Sequence, residues 1–119
     1  MQIINLPFPE GRYTDYSDTS LDDNDFKYLK KDYYDVFIYS YGTGYYSGVG
    51  NGLSRVASTG LWDVWNFSHC SCYGPLDRDR EPMYKNQTLE QLKDSSDKEY
   101  WKDIEDLWNR AKRVEEEDK

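Results

Sequence analysis

The stretch Tyr34-Asp35-Val36-Phe37-Ile38-Tyr39-Ser40-Tyr41 decides the fold. It is dense in β-branched and aromatic residues, the types that fit a pleated, packed surface. Side chains alternate across a strand. Val36 and Ile38 therefore face one way, and Phe37, Tyr39 and Tyr41 face the other. Both faces are apolar, which predicts a central strand covered on both sides. The glycine-punctuated run from Gly42 to Gly52 is expected to be a flexible crossing or a bulged strand. A second strand is predicted over Gly52 to Ala57, a hairpin turn at Ser58-Thr59-Gly60, and a third strand over Leu61 to Phe67. In the third strand Leu61, Asp63, Trp65 and Phe67 share one face, and Trp62 and Val64 the other.

Working outward, the C-terminal third reads as helical. Thr88-Leu89-Glu90-Gln91 and Ser96-Asp97-Lys98-Glu99 each match a capping box, in which residues three apart cap each other's backbone. The first predicts a short helix and the second a longer one. In the longer helix Tyr100, Ile104, Leu107, Ala111 and Val114 form a stripe flanked by Trp101 and Trp108. Such a face packs on the sheet or fills a partner's groove. Glu115-Glu116-Glu117-Asp118 is expected to be a solvated, fraying end. Toward the N-terminus, Leu6 to Gly11 is turn-rich and suits an edge strand, and a short helix is expected within Asp22 to Lys31. The predicted class is α+β: an antiparallel sheet of three to five strands with the C-terminal helices packed on one face. One domain is expected over residues 1–119. It comprises an acidic segment at 1–33, a sheet core at 34–77 and a helical segment at 78–119.

Leu, Ile, Val and Phe together number only 22 of 119 residues, and the net charge is −8. Those values alone suit disorder. Twelve Tyr, four Trp and four Phe restore a core, because each ring buries roughly 150–250 Å². The acids number 23 against 15 Lys and Arg, so phosphate and anionic lipid repel the chain. The favoured partner carries a positive surface, and neither direct nucleic-acid binding nor membrane binding is expected. No apolar run approaches the roughly 20 residues that span a bilayer. Met1 to Pro7 has no basic region or long apolar stretch, so a cytoplasmic location is expected. Asn66-Phe67-Ser68 and Asn86-Gln87-Thr88 then read as chance sequons.

The densest chemical cluster is Ser68-His69-Cys70-Ser71-Cys72-Tyr73-Gly74-Pro75. His69, Cys70 and Cys72 could centre a zinc- or thiol-dependent module. Structural zinc usually takes two separated ligand pairs, however, and no second pair exists. Adjacent residues on an extended chain point apart, so His69 is poorly placed to activate Cys70. The competing reading is a turn leaving the third strand, with reduced cysteines packed as small apolar groups. Gly48-Val49-Gly50-Asn51-Gly52 lacks the Lys and Ser/Thr of a phosphate loop. The Asp-rich stretch 15–25 lacks the glycine and terminal glutamate of a calcium loop. No metal or cofactor is therefore assigned. In that stretch Asp15, Asp18, Asp22, Asp23 and Asp25 are interleaved with Tyr13 and Tyr16. Carboxylates spaced in this way can occupy Arg and Lys sites built for phosphates, with tyrosines as apolar anchors. The alternative is a solvated acidic surface that aids solubility.

The string His69-Cys70-Ser71-Cys72-Tyr73-Gly74-Pro75, preceded by Tyr-Ser-Tyr at 39–41 and a glycine-rich stretch, resembles small proteins encoded by bacteriophages and prophages. The resemblance covers about residues 34–77. It implies a context rather than an activity. Small acidic phage proteins often bind and block a host protein, as inhibitors of CRISPR effectors and restriction enzymes do. It points to a non-enzymatic inhibitor of a nucleic-acid-handling defence protein in the bacterial cytoplasm, or else to a phage accessory or assembly subunit.

Overall fold

The computed structural model describes residues 1–9, 16–30, 32–44, 47–67, 69–70, 76 and 81–118. The fold is α+β. The elements are β1 (Gln2–Asn5), β2 (Ser17–Asp18), α1 (Asp23–Phe26), β3 (Tyr34–Thr43), β4 (Ser47–Val56), β5 (Trp62–Asn66), β6 (His69–Cys70), β7 (Tyr84–Gln87), α2 (Leu89–Ser95) and α3 (Lys98–Glu117). The sheet runs β1-β3-β4-β5-β7, with β2 also on β3 and β6 also on β4. It holds more strands than expected, and it is mixed. β1 lies parallel to β3, with Ile3 opposite Phe37 and Ile4 opposite Ile38, whereas the other pairs are antiparallel. Strands from outside residues 34–77 thus complete both edges.

The two faces of β3 carry two cores, as the alternation predicts. Phe37, Tyr39 and Tyr41 join Val56, Trp65 and Phe67 beneath Leu21, Phe26 and Leu29 of the α1 region. Val36 and Ile38 join Leu53, Trp62 and Val64 beneath α2 and α3, which contribute Leu89, Leu92, Ile104, Leu107, Ala111 and Val114. The register slips between Tyr34 and Val36. That bulge turns Tyr34 onto the Phe37 face, where unbroken alternation would not put it. The first face is held by rings meeting edge to face, with centroids 6.2 Å apart for Phe26–Phe37 and 6.0 Å for Phe26–Tyr39.

The glycine run is not a flexible crossing. The β3–β4 ladder continues through Gly42↔Val49 and Thr43↔Gly48, and the Gly44 N–H donates to Ser47 O at 2.9 Å. Glycines here are seats for rings. A Cβ on Gly42 would lie 2.7 Å from the Phe8 ring, and one on Gly52 would lie 2.8 Å from Phe67 and 3.2 Å from Phe37. The predicted turn after β4 is present, and Gly60 closes it at φ +75, a region that favours glycine.

Thr88 and Gln91 form the predicted capping box of α2. The second box is displaced by one residue. Asp97, not Ser96, caps α3, accepting from Tyr100 N at 2.8 Å. Ser96 instead closes α2, its hydroxyl donating to Leu92 O at 2.7 Å. Nor does the acidic tail fray. α3 continues to Glu117, Trp62 Nε1 donates to Glu115 at 3.1 Å, and Arg55 bridges Asp118 at 2.7 Å and Asp35 at 2.9 Å. Half-exposed carboxylates make this a modest tie. Arg55→Ala is expected to cost ~1 kcal/mol and to speed amide exchange selectively in the last turn of α3, as measured by NMR.

The buried tyrosines give the fold an alkaline limit. Burial raises the hydroxyl pKa of Tyr34, Tyr39, Tyr41 and Tyr100 above the ordinary value, Tyr41 to about 12. The folded state keeps these protons above pH 10, where unfolded tyrosine loses them, so stability falls as pH rises. A pH titration followed by tyrosinate absorbance and circular dichroism should show these hydroxyls ionising together with loss of structure above pH 10.

Candidate partner-docking site

Residues 16–26 of the acidic segment fold back on the sheet as an arm. Short β2 lies antiparallel on the end of β3, and Thr19 extends the contact, its N–H donating to Tyr41 O at 2.9 Å. Asp18 accepts the Phe8 N–H at 3.1 Å. Leu21 then crosses onto the Phe37 face, where its N–H donates to the Tyr39 hydroxyl at 2.9 Å. Asp22 and Asp25 form a reciprocal capping box on α1, with distances of 3.0 Å and 2.9 Å. Their spacing, Asp-x-x-Asp, is what the two backbone N–H groups require.

This arrangement places four of the five predicted aspartates. Asp18, Asp22 and Asp23 are exposed and Asp25 is half-buried. Asp18 and Asp25 both lie near enough to the Tyr39 hydroxyl to help raise its pKa, behind the larger effect of burial. Among the described residues, no lysine or arginine forms an ion pair with Asp18, Asp22 or Asp23. Asp22 uses only Oδ1 in the cap. Tyr16 is half-buried, with its hydroxyl 2.6 Å from Ser47 Oγ, so it ties the arm to the start of β4. Tyr13 and Asp15 lie outside the described residues.

Arg55 and Asp63 are the two charged residues of the stretch 36–74. They face opposite sides of the sheet. Asp63 is 2 % exposed. Its Oδ2 accepts the Tyr34 hydroxyl at 2.5 Å and its Oδ1 accepts Asn86 N–H at 2.8 Å. Asn86 has φ +57. The register between β5 and β7 slips at this point, between Trp62 and Val64. Trp65 Nε1 donates to Ser54 Oγ at 2.8 Å on the same face. A carboxylate in a strand otherwise packed with Trp and Val was the available signal, since a buried charge must find donors.

Of the thiol cluster, His69 and Cys70 form β6, paired with Gly48 and Ser47, and Cys72 lies outside the described residues. Among the described residues, no group of three or more His, Cys, Asp or Glu side chains is arranged to hold a metal ion. A cleft of about 320 Å³ opens between Phe8 and Pro9, the β4 residues Val49 and Asn51, Asn66, and Asp103 of α3. Its described lining holds no histidine, cysteine or serine. Trp101 and Trp108 meet edge to face with centroids 5.6 Å apart, and Trp108 Nε1 donates to Leu89 O at 2.7 Å. Trp108 thereby joins α3 to α2. Among the described residues, no helix is long and apolar enough to cross a membrane. No protein-family model, curated protein or solved structure matches the chain.

Proposed function

We propose that this chain is an acidic, non-enzymatic docking protein that occludes a basic, nucleic-acid-binding surface on another protein. The observation that carries the reading is this arm. Exposed Asp18, Asp22 and Asp23 have no cationic partner among the described residues, and a capping box and strand pairing hold their backbone in place. Carboxylates fixed before binding lose little entropy on docking and can accept the hydrogen bonds of Arg and Lys in place of phosphate. The net charge of −8 supplies long-range attraction to a positive target. The phage-like motif at 69–75 suggests the setting, a bacterial cytoplasm. It also suggests the target class, a host defence nuclease of the CRISPR or restriction type.

The test uses Asp18→Asn/Asp22→Asn/Asp23→Asn. Asparagine retains the capping acceptor at 22 while removing three charges. The tagged wild-type protein is passed over bacterial lysate and eluted with rising salt. The protein retained is then rebound to wild-type and variant chains. The variant is expected to associate about tenfold more slowly at low salt, with a flatter dependence on ionic strength. Equal rates at every salt concentration would refute the role given to the arm.

A further inference from the structure

The two edges of the sheet differ. At β7, Lys85 and the left-handed Asn86 interrupt the edge, two of the devices that discourage strand addition. At β1 the sequence is Gln2-Ile3-Ile4-Asn5, with no charge, proline or bulge, and Ile3 is 41 % exposed. The Leu6 N–H donates inward to Tyr39 O at 2.8 Å. Backbone direction alternates along a strand, so Ile4 and Gln2 also bond inward to β3. The N–H and C=O groups of Ile3 and Asn5 therefore face outward, and among the described residues no strand pairs with them.

This edge lies beside the acidic arm. Asn5 Nδ2 donates to Ser20 Oγ at 3.0 Å, two residues before Asp22. On the face that Ile3 shares with Phe37, the α1 residue Phe26 packs on the Phe37 ring. Ser20, at the root of the segment that carries Asp22 and Asp23, thus touches the C-terminal end of β1. We infer that β1 takes up an extended, lysine- or arginine-bearing segment of the partner as an added strand, while Asp22 and Asp23 read its basic side chains. The proposal rests on the docking reading above and refines it. A second copy of this chain would bring its own −8 charge to the same place, so charge complementarity favours a basic segment.

The probe is a synthetic heptapeptide alternating lysine and valine. It is compared with a peptide of equal charge that is N-methylated at alternate residues and so cannot pair its backbone. Binding to the full chain is measured by isotopic-label NMR and titration. The plain peptide should bind, protect the Ile3 amide from exchange, and bind at least tenfold more tightly than the methylated one. Ile3→Pro, which removes an outward N–H and leaves the β1–β3 bonds intact, should abolish that preference. Equal binding of the two peptides, or binding by neither, overturns strand addition while leaving surface docking standing. Plain-peptide affinity unchanged in Asp22→Asn/Asp23→Asn overturns the role of the carboxylates here and weakens the docking reading with it.

Discussion

Replacing Asp63 with alanine is expected to lower stability by ~3–5 kcal/mol, a large share of what a domain of this size possesses. The carboxylate is buried and accepts two hydrogen bonds, from the Tyr34 hydroxyl at 2.5 Å and from Asn86 N–H at 2.8 Å. Alanine leaves both donors without an acceptor in a dry environment, and each bond to a charged group is worth roughly 1.5–3 kcal/mol. The effect should be coupled. In Tyr34→Phe/Asp63→Ala one of the stranded donors is gone, so the double variant should be less destabilised than the sum of the two single changes. Asp63→Asn keeps an acceptor and should be milder. Urea unfolding of the four chains tests this, and strict additivity would show that the two groups do not act together.

The second large effect is expected at Gly50. A Cβ there would stand 2.3 Å from the carbonyl oxygen of Ser40 and 3.2 Å from the Phe67 ring. The first is backbone in the facing strand and cannot rotate away. Relief requires separating β3 from β4 at Gly50↔Tyr41, in the middle of the sheet. Gly50→Ala should therefore cost ~3 kcal/mol or more by overpacking. Gly60→Ala is the comparison. Its Cβ meets nothing within 4 Å, and only the positive φ opposes it, so the cost should be ~1 kcal/mol. Thermal unfolding of the two variants distinguishes them, and similar losses would contradict the account of Gly50 as a close-packing position.

What the sequence disclosed follows from the range of the interactions. The two faces of β3, the hairpin from β4 to β5 and the cap at Thr88 are set by residues adjacent or three apart, so alternation and spacing reveal them. β1 was not legible as a parallel strand. Four residues gain their structure by pairing with Val36 to Tyr39, more than thirty positions away. The run from Gly42 to Gly52 misleads because glycine signals freedom locally, whereas here it makes room for Phe8, Phe37 and Phe67. The cap of α3 shifted from Ser96 to Asp97 because the hydroxyl of Ser96 is already used at the end of α2. The tail is solvated at Glu116 to Asp118 as expected, but it looked free to fray because Arg55, the cation that binds Asp118, lies in a distant strand.

The candidate site divides in the same way. The acidic cluster was visible as composition, and Asp22 and Asp25 sit at the spacing of a cap. Its relation to the sheet was not visible, since it depends on the contacts of Leu21 with Tyr39 and of Asn5 with Ser20. Those contacts set the arm beside an open strand edge. Asp22 therefore serves twice, in the α1 cap and, with Asp23, toward a basic partner.

Occlusion of a nucleic-acid-binding surface can be observed by competition. A partner recovered by salt elution is mixed with fluorescently labelled duplex DNA at low salt, and wild-type protein is added while anisotropy is followed. The DNA should be displaced in proportion to added protein, and Asp18→Asn/Asp22→Asn/Asp23→Asn should displace it poorly. A ternary complex, in which the partner holds the labelled DNA and this protein together at undiminished affinity, would contradict occlusion.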